Sequence, residues 1–149
     1  MKLVRENLNF ERGSGDKLNN LGIGKIVRIE NWLKEMEIVS RDISKDYGYI
    51  INDDLTIDIH NLYIYRKNII ELPDFIQFRN ATGYCNIQCN MLKSLKGFPI
   101  RVEENFDCRF NGLESLDYLP EYIGTQLYCS EGNNISNDEY IKVSKVKFG

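Results

Sequence analysis

The sequence predicts an α/β fold: a short solenoid of parallel strands, with a small α/β cap at its amino-terminal end and a short cap at its carboxy-terminal end. Three observations lead there. A fixed pattern of apolar residues and asparagine recurs through residues 62–135. Residues 25–38 place apolar side chains at helical spacing. Between the two, residues 49–59 read as a pair of strands around a polar turn. The chain therefore divides into an α/β capping region at 1–61, the solenoid at 62–135 and a terminal cap at 136–149.

The repeat is the most informative element. Stretches beginning at Leu62, Cys85 and Phe106 superpose without gaps, 23 and 21 residues apart. Leu62 aligns with Cys85 and Phe106, and Ile64 with Ile87 and Cys108. Lys67 aligns with Asn90 and Asn111, Ile69 with Leu92 and Leu113, and Leu72 with Leu95 and Leu116. A fourth copy starts at Leu127 and Cys129 and slips by one residue before Asn133 and Ile135. The shared pattern, apolar-x-apolar-x-x-Asn-x-Leu-x-x-Leu, is the core of a leucine-rich repeat. Its apolar-x-apolar step is a short strand, and successive strands stack in parallel over one continuous apolar column. The Asn turns inward to bond backbone groups at the bend. Lys67 stands there in the first copy, so that bend is expected to be less regular.

The return segments align as well. Phe75, Phe98 and Leu119 recur at the same intervals, with Pro73, Pro99 and Pro120 nearby. Proline discourages long helices, so turns or short 3₁₀ pieces are expected on the convex side. In the cap, residues 1–12 read as a strand with Leu3, Leu8 and Phe10 inward. Gly13–Asp16 reads as a turn and Asn19–Gly24 as irregular chain. The helix over 25–38 buries Ile26, Ile29, Trp32, Leu33 and Met36, and Glu30 with Lys34 forms an i,i+4 pair worth about 0.3 kcal/mol. Asp46–Gly48 breaks the chain, and Tyr49–Ile51 and Leu55–Ile59 flank a turn at Asn52–Asp54. These elements cover the end of the stack, which would otherwise expose its core. At the far end Tyr140, Val143, Val146 and Phe148 give no clear period.

Composition narrows the function. Residues 1–71 carry 12 acidic and 11 basic side chains, and residues 72–149 carry 10 and 8. Neither half has a basic field to hold nucleic acid or anionic lipid, so nucleic acid is disfavoured as a partner. No stretch approaches the ~20 apolar residues of a membrane helix. The first residues have no apolar run behind their charges and do not read as a secretory signal. A cytoplasmic location is expected.

The reactive residues do not assemble a recognisable catalytic or metal motif. Cys85, Cys108 and Cys129 fall on inward strand positions, where small apolar side chains belong; Cys89 falls off them. Cys85 and Cys89 lack the spacing of a paired zinc knuckle. His60 is the one histidine, with no nucleophile motif beside it. Gly22, Gly24 and Lys25 fall short of a phosphate loop, which needs a glycine where Asn19 stands and Ser or Thr where Ile26 stands. Asp53, Asp54 and Asp58 lack the spacing of a calcium loop. No catalytic site, metal or cofactor is expected.

The outward positions of the strands are the candidate binding site. Tyr63, Asn86, Asp107 and Tyr128 form one ladder on the concave face. Tyr65, Gln88, Arg109 and Ser130 form the other. Tyrosine and arginine on a rigid sheet are an interface-like composition.

Leu72-Pro73-Asp-Phe75-Ile76, Asn105-Phe-Asp-Cys108, Leu113-Glu-Ser-Leu116 and Tyr128-Cys129-Ser130 resemble small proteins of bacteriophages and bacterial mobile elements. In those, degenerate leucine-rich-repeat-like stretches of the type Phe-x-Cys-Ser-x-Asn-x-Leu-Thr-Ser-Leu-x-Gly-x-Pro recur in tandem. The opening Met1–Gly13, Leu21–Gly24 and the Trp32-Leu33 helix followed by Ile51–Asp58 are similar to the start of such proteins. This sequence departs from the pattern in the second copy, with Cys85 and Ile87 in place of Phe and Cys, and in the fourth, with an inserted residue. The resemblance implies a phage accessory protein acting in the host bacterial cytoplasm. It would bind a host protein, such as a CRISPR-type or related defence effector, and inhibit or modulate it. The carboxy-terminal strand Leu127–Ser130 is also expected to present an unpaired edge, open to the target or to a second copy of this chain in a homodimer. A nucleic-acid mimic or RNA-binder and a virion component are the alternatives.

Overall fold

The computed structural model describes residues 14–149, with side chains from Gly22 onward. The strand expected over 1–12, with Leu3, Leu8 and Phe10, lies outside the described residues. The chain forms helix α1 (Ser14–Glu35), ten short strands and a 3₁₀ helix (Asn137–Lys145). The strands are β1 (Tyr49–Ile51), β2 (Ile57–Ile59), β3 (Leu62–Tyr63), β4 (Phe78–Ala81), β5 (Cys85–Asn86), β6 (Arg101–Val102), β7 (Phe106–Asp107), β8 (Tyr122–Ile123), β9 (Leu127–Tyr128) and β10 (Lys147–Phe148).

The strands make two sheets. One runs β3-β5-β7-β9, all parallel, with Leu62 beside Cys85, Cys85 beside Phe106 and Phe106 beside Leu127. That register is the one the repeat dictates. The other runs β1-β2-β4-β6-β8-β10, parallel except for the antiparallel β1–β2 hairpin. The chain thus winds as a solenoid of four coils, and each coil gives one strand to each sheet. β2 belongs to the first coil: it pairs in parallel with β4 and turns at His60 and Asn61 into β3.

The second sheet corrects the expectation for the return side. Turns are present there and α-helices absent among the described residues, but β4, β6 and β8 form a parallel ladder where 3₁₀ pieces were expected. Their inward residues Ala81, Val102 and Ile123 are fully buried. Each coil therefore closes its core between two hydrogen-bonded walls. The inward column Leu62, Ile64, Ile87, Leu92, Leu95, Phe106, Cys108, Leu113 and Leu116 is buried throughout. Leu127 is only half-buried, because no further strand follows β9 in its sheet.

The bends are held by stacked asparagines. Asn111 Oδ1 accepts the N–H groups of Asn90 (3.2 Å) and Leu92 (3.2 Å) in the preceding coil. Its Nδ2 donates to the carbonyls of Ile87 (3.1 Å) and Cys108 (3.0 Å). Asn133 repeats this toward Asn111, Leu113, Cys108 and Cys129. Asn90 accepts from the N–H of Lys67 and donates to Ile64 and Ile87. The residue before each of these positions is left-handed: Arg66, Cys89, Phe110 and Gly132 have φ of 53°, 58°, 58° and 69°. At Gly132 a Cβ would lie 2.6 Å from the Phe110 Cα, so glycine is required there. It accommodates the inserted residue and lets Asn133 reach its place.

The helix corrects a second expectation. It begins at Ser14, so Ser14–Asp16 and Asn19–Gly24 are helical rather than turn and irregular chain. A Cβ at Gly22 or Gly24 would meet nothing within 4 Å, so neither glycine is needed for close packing. Ile26, Ile29, Trp32 and Leu33 are buried, and Trp32 meets Phe78 edge-on at 6.5 Å. The helix stops at a left-handed Glu37, where the N–H of Ile38 bonds the Leu33 carbonyl (2.8 Å) and that of Glu37 bonds the Lys34 carbonyl (2.9 Å). Glu30 forms an ion pair with Arg41, a partner the helical spacing did not foresee.

Two stability outcomes follow. Leu113→Ala should cost about 2–5 kcal/mol in denaturant unfolding, since its side chain is wholly enclosed. Asn111→Leu should destabilise by at least about 2 kcal/mol although it adds apolar surface, because two buried N–H groups lose their acceptor. An unchanged urea midpoint for Asn111→Leu would refute the ladder.

Candidate functional site

The eight outward residues project from the four-stranded face, but they differ in what they offer a partner. Asp107 is buried and takes a two-pronged contact from Arg109, Nε at 3.0 Å and Nη2 at 2.7 Å. Arg109 also lies over the Tyr128 ring at 4.8 Å and 3.8 Å from Glu131. This half of the ladder is committed internally: the Asp107 carboxylate, taken out of water, needs its guanidinium. Asn86 Oδ1 likewise accepts from the backbone and side-chain N–H groups of Gln88, each at 3.2 Å. Ser130 is exposed.

The tyrosine end is different. Tyr63 and Tyr65 stack with ring centres 5.9 Å apart and planes 17° apart. Tyr47, from the loop before β1, packs on Tyr63 at 6.4 Å and accepts a hydrogen bond from the Tyr84 hydroxyl at 3.2 Å. The Arg66 guanidinium sits 5.2 Å over Tyr65. Burial, reinforced by the Tyr47 hydroxyl, pushes the Tyr84 phenol well above its usual range, so it stays a neutral donor. A cleft of about 430 Å³ opens beside these rings. Met36, Glu37 and Ile38, in the turn that follows α1, form one wall; Tyr47, Tyr63, Tyr65 and Lys67 form the rest. Lys67 Nζ bonds Glu37 at 2.8 Å across its mouth, holding the Glu37 carboxyl below the usual range.

Sequence reasoning thus reached Tyr63 and Tyr65 and missed Tyr47, Tyr84, Met36 and Glu37. Tyr47 lies in the loop before β1 and Tyr84 in the corner between β4 and β5, where the repeat pattern carries no constraint. The left-handed turn that places Glu37 and Ile38 is carried by a residue other than glycine, so it leaves no mark in the sequence.

The reactive side chains lie elsewhere. Cys85, Cys108 and Cys129 are buried free thiols, and burial pushes all three upward in pKa. Cys89 is half-exposed at its bend. His60 is half-buried at the corner between β2 and β3. Among the described residues no three His, Cys, Asp or Glu side chains gather in a way that could hold a metal ion, and no helix is long and apolar enough to cross a membrane.

The fold and the site define a capped parallel β-solenoid with an aromatic cleft where cap and coils meet. No protein-family model, curated protein or solved structure matches this chain.

The thiols give a direct check. A thiol reagent under native conditions should modify Cys89 first, with Cys85 and Cys108 protected until unfolding. The same groups predict an alkaline limit. Their folded pKa lies above the unfolded value, so their contribution is complete below about pH 8.5 and is lost as pH rises further. The urea midpoint should fall above that pH, and Cys108→Ala should flatten the fall. An equal slope in that variant would assign the effect to another group.

Proposed function

We propose that the protein is a non-enzymatic, leucine-rich-repeat-like binding module that docks a protein partner on its four-stranded face, with the tyrosine cleft as the anchor. The single observation that carries this reading is the state of Tyr63: it is 42% exposed, yet its ring is already fixed between Tyr47 and Tyr65. A large aromatic side chain fixed before binding loses little entropy on contact, and tyrosines of this kind dominate interface energetics. Met36 and Ile38 give the cleft an apolar floor, and Glu37 with Lys67 gives it a polar rim. That is the anatomy of a binding hot spot.

The resemblance to small phage and mobile-element proteins supplies the context. In this reading the partner is a host protein met in the bacterial cytoplasm, and a defence effector whose action is blocked is the form the proposal takes. Stacked tyrosines also suit single-stranded nucleic acid. The acidic net charge of −3 and the internal pairing of Arg109 favour protein.

The test is affinity capture from host lysate with mass spectrometry, followed by binding measurements on the recovered partner. Arg109 is unsuitable for substitution, because its loss strands the buried Asp107 carboxylate. Tyr63→Ala with Tyr65→Ala should weaken binding by more than about 2 kcal/mol, roughly 30-fold, with the unfolding transition retained. If binding survives that pair and fails when the exposed surface of α1 is altered, the functional face lies on the cap.

A further inference from the structure

The two sheets do not end together. β10 extends the six-stranded sheet by one strand beyond β8, with Lys147 beside Tyr122 and Phe148 beside Ile123. The 3₁₀ helix packs Tyr140 and Val143 against the core in the same layer. The four-stranded sheet stops at β9. A fifth layer is therefore filled on one side and in the middle, and among the described residues nothing lies along β9.

The hydrogen-bond series shows what is missing. The N–H groups of Cys85 and Ile87 donate to the carbonyls of Asn105 (2.8 Å) and Asp107 (2.9 Å) in the next coil. Those of Phe106 and Cys108 donate to Gln126 and Tyr128, both at 2.9 Å. Leu127 and Cys129 are next in the series, and among the described residues their N–H groups have no acceptor. At the bend, Leu92 and Leu113 N–H groups are met by Asn111 and Asn133 of the following coil. The Ile135 N–H is next there, also without an acceptor among the described residues. A row of unmet donors beside a half-buried Leu127 is a template for one more strand.

We infer that β9 takes up an extended segment of a partner protein as a fifth parallel strand of this sheet. The segment reads apolar-x-apolar-x-x-Asn, the pattern that the second and third coils present to the ones before them. Its first apolar side chain covers the half-buried Leu127, its second meets the margin of the core closed by the 3₁₀ helix, its flanking carbonyls meet the N–H groups of Leu127 and Cys129, and its Asn meets Ile135. Its middle side chain lies beside Tyr128. This inference rests on the protein-binding reading above but uses a different edge of the face. A single strand fits where a second copy does not: β10 and the 3₁₀ helix already occupy the layer that another molecule's complete coil would have to enter. Strand addition of this kind draws its affinity from main-chain bonds and its selectivity from alternate side chains.

The probe is a synthetic peptide copying Glu104–Glu114, with alanine at the cysteine position, added to the isotopically labelled full chain. Amide resonance changes should centre on Leu127–Ser130 and Ile135, with a Kd below about 1 mM and amide exchange at Leu127 and Cys129 slowed by roughly fivefold or more. A control peptide with aspartate at the two apolar positions should bind at least about tenfold more weakly. Leu127→Pro removes one donor without touching the bonds to β7, and should also weaken binding about tenfold. The exchange result in the unaltered protein stands whether or not that variant folds. No change along β9 at about 1 mM peptide would overturn the inference. So would the same shifts appearing without peptide as the protein concentration rises with a matching gain in mass, since the occupant would then be a second copy. Capture that depends on Tyr63 and Tyr65 while the peptide leaves β9 unchanged would sink this inference alone.

Discussion

The asparagine ladder is the constraint on which the solenoid depends. A bend inside a stacked coil leaves backbone N–H and C=O groups buried with no strand partner, and each such group left unmet costs about 1–3 kcal/mol. One primary amide, with two donors and an acceptor that takes two bonds, answers the need of two successive coils. Asn111 meets two N–H groups above it and carbonyls in both coils. Only with the bends satisfied can the apolar column run unbroken through Leu62, Cys85 and Phe106. The left-handed residue before each Asn aims the chain so that the amide points inward. Residues other than glycine, Arg66, Cys89 and Phe110, hold that conformation in three of the four coils at a cost of order 1 kcal/mol each.

That rigidity shapes the proposed function. On the four-stranded face the outward side chains stand on a hydrogen-bonded ladder, with strand neighbours on both sides of β5 and β7 and on one side of β3 and β9. Part of the face spends its polar groups on itself, as Asp107 and Arg109 do. The part nearest the cap does not. There α1 and the loop carrying Tyr47 come alongside the first coil, and four tyrosines meet. The cleft arises from the junction of cap and stack rather than from the repeat.

What the sequence made legible follows from how each feature is encoded. The inward residues of β3, β5 and β7 and the Asn at each bend repeat at near-constant spacing, and their roles could be read without coordinates. Strands β4, β6 and β8 could not. Apart from Phe78, each shows a single wholly inward residue, Ala81, Val102 or Ile123, between polar neighbours such as Asn80, Arg101 and Tyr122. Two-residue strands show no alternation, and the backbone pairing that defines them leaves no side-chain signature. A fixed interval of four residues before Cys85, Phe106 and Leu127 was the available signal. The start of α1 was misread for another reason: Gly22 and Gly24 lower intrinsic helix propensity by about 1 kcal/mol each, and burial of the Ile26–Leu33 face outweighs that. The tyrosine cluster was half legible, since Tyr63 and Tyr65 belong to the repeat, Tyr47 to the loop before β1 and Tyr84 to a corner.

The ladder also has a direction. At the bends, Asn90, Asn111 and Asn133 each reach back toward the coil made before them, while at the opposite corners Asn61 and Asn105 accept N–H groups of the coil that follows. As the chain emerges from its amino terminus, each new bend begins two donors short and is completed only when the next coil supplies its amide. Growth and satisfaction therefore run the same way along the molecule. At these bends, losing a coil from the carboxy-terminal end uncovers N–H groups, whereas losing one from the amino-terminal end leaves a side-chain amide unmet; the sheet bonds run both ways between coils, as Cys85 N–H to Asn105 and Glu103 N–H to Ala81 show. At the bends, therefore, the two ends of the stack are chemically unlike, and a device that closes one of them there would not close the other.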